Sequence, residues 1–96
     1  MIIRPELKIH DAIVTEIAEV DGERGVYAVD VLLDGVYQRF HVELEGLKST
    51  FNVREDIYYK YTIRCFNLKG LVPLMREWHS GERRDLPVDL AEVDWR

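Results

Sequence analysis

The chain has 96 residues, 47% of them hydrophobic and 32% charged, with a formal net charge of −5 at pH 7. That balance describes one globular domain, 1–96, long enough to close a single core, and excludes a disordered chain. The acidic excess argues against generic binding to nucleic acid and against adsorption on an anionic membrane, since both require a basic surface.

Residues 1–8 contain Arg4-Pro5, which disfavours helix before the proline and removes a ladder donor, so an extended lead-in or edge segment is expected. From 9 to 20 apolar residues alternate, with Ile9, Ile13 and Ile17 on one parity and Ala12, Val14, Ala18 and Val20 on the other. A strand is expected there, with an ambiguous register because both parities are partly apolar. The run Asp21-Gly22-Glu23-Arg24-Gly25 reads as a turn.

Strands at 25–33 and 36–45 flank Asp34-Gly35, the strongest short hairpin signal in the chain. With those two residues as the loop, Leu33 faces Val36, Val31 faces Gln38, Val29 faces Phe40 and Tyr27 faces Val42. On the opposite side Leu32 meets Tyr37, Asp30 meets Arg39, Ala28 meets His41 and Val26 meets Glu43. A slip of one residue would destroy both patterns.

Residues 46–52 read as a break anchored by Leu47 and Phe51. From 57 to 67 two templates compete. Val53, Ile57, Tyr61, Cys65 and Leu68 have helical spacing behind a capping Asn52. The crowding of Tyr, Ile and Thr, with strict alternation, favours a strand instead. After Lys69-Gly70 a short helix is expected at about 72–79, with Pro73 in its first turn and Leu71, Leu74, Met75 and Trp78 on one stripe. An extended C-terminal segment follows, with spaced apolar residues, a turn opened by Asp89 and Glu92, and a loose end at 91–96. The expected fold is therefore α+β: an antiparallel β-meander of four strands (9–20, 25–33, 36–45, 57–67) and one helix.

Residues for chemistry are sparse. One cysteine, Cys65, excludes an internal disulfide and reads as a buried thiol, and the histidines His10, His41 and His79 lack metal-ligand spacing. No metal or cofactor is expected, and no glycine-rich phosphate loop or nucleophile elbow is present. Glu43 and Glu45, two apart on a strand, read as a solvated edge. The tyrosines suit packing or a dimer surface better than base stacking.

The densest polar constellation is Arg76, Trp78, His79, Arg83 and Arg84, a set able to form a small cationic pocket for a carboxylate or phosphate, or to anchor a partner. One helix covers one face of a sheet, and the other face of the hairpin carries Val26, Ala28, Leu32 and Tyr37. A homodimer through that face or an edge strand is the expectation. No run approaches the ~18 apolar residues of a membrane span, and the opening MIIRPELKIH has no continuous apolar signal segment, so the cytoplasm is the expected compartment. The functional expectation is a non-catalytic protein-interaction domain, with a basic protein as the natural partner of its acidic surface. The alternative is an anion-binding protein or minor enzyme built on Arg76, His79, Arg83 and Arg84.

Overall fold

The computed structural model describes residues 10–47, 50–54, 59, 62 and 66–93. Five strands form one sheet: β1 (Ala12–Glu19), β2 (Val26–Leu33), β3 (Val36–Glu45), β4 (Thr50–Val53) and β5 (Val88–Asp89). Their order is β4-β3-β2-β1-β5, antiparallel between every pair of neighbours, and the helix α1 (Leu71–Ser80) lies between β4 and β5 in sequence. The architecture is α+β, as the patterning predicts.

The hairpin has the predicted register at all eight positions from Leu33↔Val36 to Val26↔Glu43. Asp34 (φ 47°) and Gly35 (φ 82°) both lie in the left-handed region, as a type I′ turn demands, and glycine reaches it without a Cβ penalty.

β1 carries a bulge between Val14 and Glu16. Before it Ala12 and Val14 oppose Leu33 and Val31; after it Ile17 and Glu19 oppose Val29 and Tyr27. One extra residue, Thr15, thus exchanges the parity of the strand, and its hydroxyl donates to the Asp30 carbonyl at 3.3 Å. This resolves the two-sided alternation in the sequence: even residues face the core in the first half and odd ones in the second.

Two expectations are corrected. Residues 46–52 are not simply a break, because Thr50–Val53 pair with Glu45–Val42 as β4. Phe51 anchors it, fully buried, whereas Leu47 is fully exposed. The strand expected at 57–67 does not hold where that segment is described. Tyr59 and Thr62 are helical, and Phe66 N–H donates to Thr62 C=O at 2.9 Å, an i→i−4 bond. The rest of 55–65, Cys65 included, lies outside the described residues, as do 1–9 and 94–96. Strand propensity gives way to packing: the Tyr59 ring stands edge-on to Phe40, centroids 5.7 Å apart.

The core lies on one sheet face. Ala12, Val14, Val29, Val31, Phe40, Val42 and Phe51 meet Leu68, Leu71, Leu74 and Met75 from the helix region, and Val88, Leu90 and Val93 close the end. α1 exceeds its predicted bounds by one residue at each end. Its last turn is closed by Gly81 (φ 93°), whose N–H donates to the Trp78 carbonyl. The extended C-terminal segment forms β5 against Ile13 and Val14, then a 3-10 turn, Leu90–Glu92, capped by Asp89 accepting from Ala91 N–H at 3.0 Å. Among the described residues no helix is long and apolar enough to cross a membrane.

Candidate functional site

Two regions hold the residues singled out by sequence. The first surrounds the C-terminal end of α1. At 100° per residue, His79 and Glu77 fall on opposite flanks of the buried stripe Leu71, Leu74 and Met75. His79 reaches the sheet: its Nδ1 lies 3.1 Å from the Tyr27 hydroxyl, with Phe51 edge-on to the imidazole at 5.5 Å. Tyr27 is buried in β2, and its phenol is held above its usual pKa first by burial and then by Glu19, with Arg83 opposing.

Glu77 takes Arg84 in a bidentate pair at 2.7 and 2.9 Å, and Arg84 also reaches the Glu92 carbonyl at 3.5 Å. Arg84 thereby ties the helix to the C-terminal segment. Arg83 lies over the Trp78 ring, 5.0 Å from its centroid, in a cation–π contact. Arg76 stands exposed on the far side of the helix. The five predicted residues therefore take three separate engagements, with Tyr27, with Glu77 and within the Trp78–Arg83 pair, while Arg76 projects to solvent. A shared cationic pocket would need their free donors to converge, and Arg84 already spends its planar fork on Glu77.

The second region is the sheet face away from α1 and the adjoining edge of β3. Across the strands, Ile13, Leu32 and Tyr37 form one apolar row; Glu16, Asp30 and Arg39 form the next; Ala18, Ala28 and His41 the third. Arg39 grips Asp30 at 2.7 and 3.2 Å. That hydrogen bond chiefly holds the Asp30 carboxyl below its usual pKa, against a smaller opposing effect of burial. Of the residues expected to form a dimer face, Ala28 and Leu32 are half-buried, Val26 is buried, and Tyr37 is 68% exposed. Val36 beside it is 67% exposed, although it has core-face parity, because it lies at the hairpin tip beyond the reach of α1.

Glu43 and Glu45 are each engaged: Glu43 accepts from Arg54 at 2.9 Å, and Glu45 accepts from the Asn52 amide. Arg54 also pairs with Glu23 at 3.4 Å, bracing the β1–β2 turn. Among the described residues, no three of His, Cys, Asp and Glu converge on a point where a metal ion would sit.

The extent of the β3–β4 pairing is legible only from topology. β4 covers just Val42–Glu45, and one further bond, Arg54 N–H to His41 C=O at 2.9 Å, ends the pairing. Tyr27 and Phe51 as partners of His79 were also missed. The available signal was a tyrosine among core-facing positions of β2, since a buried phenol hydroxyl requires a partner. No known family model matches this chain, and no curated protein or solved structure shows significant similarity to it.

Proposed function

We propose that this chain is a small, acidic, non-catalytic protein-interaction domain acting in the cytoplasm. The observation that carries this reading is the exposed Val36–Tyr37 tip. It continues into the half-buried row Ile13–Leu32 on the same sheet. Tyrosine on such a surface contributes large apolar area with a polar tip at low conformational cost, as at protein interfaces. The charged side chains most suited to an anion site serve the fold instead: Arg84 is held by Glu77, and His79 by Tyr27. With a net charge of −5, a basic partner is favoured at the rim of that surface.

The test is a tagged pull-down at moderate salt with wild type and with Val36→Asp/Tyr37→Asp, followed by titration of any recovered protein in purified form. The reading expects a stoichiometric partner that the double variant loses by at least about 100-fold in affinity, the loss of two interface anchors. Unchanged recovery with the double variant refutes this surface as the interface. Thermal stabilisation by phosphate or carboxylates that vanishes in Arg83→Ala would favour the anion-binding alternative.

A further inference from the structure

We infer that the sheet face turned away from α1 packs against the same face of a second copy, about a two-fold axis running along β2. This rests on the interaction reading and commits it to one partner. Cross-strand register sets the side chains of the face in three rows: Ile13, Leu32 and Tyr37; Glu16, Asp30 and Arg39; Ala18, Ala28 and His41. Glu16, Ala18, Tyr37, Arg39 and His41 are exposed, and Ile13, Ala28, Asp30 and Leu32 are half-buried. The solvated face of an antiparallel sheet is ordinarily polar. Here the first row is apolar or aromatic throughout, and the third sets two alanines beside His41.

The middle row names the occupant. Arg39 donates from Nε and Nη2 to Asp30 at 2.7 and 3.2 Å, which leaves its Nη1 unengaged among the described residues. Glu16, at the other end of that row, accepts no hydrogen bond among the described residues. Each copy thus carries an unsatisfied carboxylate on β1 and spare guanidinium donors on β3, level with one another. A copy with its strand order reversed satisfies both.

Two in-plane axes bring such a face onto itself, and charge chooses between them. An axis along the rows stacks Glu16 on Glu16 and Arg39 on Arg39, like on like. An axis along β2 keeps every row level and reverses its order. Arg39 then lies over Glu16 of the second copy and Glu16 over its Arg39, giving two charge-assisted contacts by symmetry. Each Asp30 stays beneath its own Arg39. In the other rows Tyr37 meets Ile13, Leu32 meets Leu32, and His41 sits over the small Ala18. This is the aligned stacking of two sheets about 10 Å apart. A footprint three strands wide, about 15 Å by about 20 Å, is at the small end for specific interfaces. The expected dimer is therefore weak, with a Kd of about 100 micromolar.

Sedimentation equilibrium of the purified chain and its charge variants tests this. Glu16→Arg and Arg39→Glu should each weaken self-association at least about tenfold, because each alone sets like charges against one another. An equimolar mixture of the two should recover wild-type association, since both contacts then join opposite charges. A purely structural defect in either variant would not be repaired by mixing. Ala28→Arg, on the axis and clear of the ion pair, should abolish the dimer. Leu47→Asp, fully exposed at the β3–β4 turn, should leave it unchanged.

A wild-type monomer at about 1 millimolar, well above the Kd expected for so small an interface, overturns the inference. So does a dimer that Ala28→Arg leaves intact, or a mixture no more associated than its components. If a monomeric chain still captures a basic protein and loses it on Tyr37→Asp, the interaction reading stands and only the self-pairing fails.

Discussion

Gly70→Ala isolates the contact between the start of α1 and the C-terminal segment. Gly70 lies at φ −78°, ψ −5°, where alanine is unstrained, so the backbone offers no objection. Space does: a Cβ there would lie 2.5 Å from the Leu90 carbonyl oxygen and 3.0 Å from Val93 Cβ. The nearest atom is backbone, in a turn whose Leu90 and Val93 are buried in the core. Overpacking of this kind costs about 1–3 kcal/mol. The lower unfolded-state entropy of alanine returns about 0.4–1 kcal/mol. A net loss of about 1–2 kcal/mol corresponds to a Tm lower by about 5–15 °C for a domain of this size.

Thermal and urea unfolding followed by far-ultraviolet circular dichroism measures the change. Gly81→Ala is the control. Its surroundings are open but its φ is 93°, so it loses about 1 kcal/mol through backbone strain alone. Hydrogen exchange separates the two causes. Gly70→Ala should speed exchange at Ala91 and Val93, whose N–H groups close the 3-10 turn, and Gly81→Ala should not. A Gly70→Ala protein as stable as wild type would refute the reasoning, because it would show that the turn yields freely.

Two pH responses follow from the site. Asp30 titrates below its unfolded value of about 3.9 because Arg39 hydrogen-bonds the carboxylate. Its contribution is therefore complete above that value and lost as pH falls through the lower folded one. Asp30→Asn should flatten the acid limb of stability against pH in urea titrations, and an unchanged limb would remove the Arg39 pair as its cause. Tyr27 and Tyr59 are both raised, chiefly by burial, so their contribution is intact below the unfolded phenol pKa and lost as pH rises through the folded one. In alkaline spectrophotometric titration, Tyr27→Phe and Tyr59→Phe should each delete a late-titrating component. Tyr27→Phe should also cost about 0.5–1.5 kcal/mol at neutral pH by breaking the bond to His79. A neutral-pH stability equal to wild type would show that water replaces that bond without loss.

The hairpin was legible because three independent constraints agree on it: the Asp34-Gly35 turn, the apolar alternation, and the Asp30–Arg39 charges. α1 was legible because Pro73 and Gly81 punctuate a 3.6-residue stripe. β1 was legible as a strand but not in its facing, since the extra residue at Thr15 has no composition signal and exchanges parity midway. At 57–67 a helical spacing competes with the strand alternation. The preference of Tyr and Thr for strands misled because that preference measures packing on a sheet, and Tyr59 packs onto the sheet from outside it. The cationic cluster failed as a pocket for a similar reason. Sequence places Arg84 near Arg76 and His79, but the choice of Glu77 over a ligand is made by the chain reversal at Gly81.

The order β4-β3-β2-β1-β5 has a consequence in time as well as in space. Four strands adjoin their neighbours in sequence and need only short loops to meet, whereas β5 pairs with Ile13 and Val14 across more than seventy residues. Short closures form early, and the long one carries the largest entropic cost. The meander is thus the expected nucleus, and β5 seals Leu90 and Val93 over a core already assembled. Val88→Ala should accordingly hasten unfolding and leave the refolding rate nearly unchanged in a chevron plot, whereas Val29→Ala should slow refolding. A Val88→Ala effect on refolding equal to that of Val29→Ala would put the closure of the two distant segments at the start of folding.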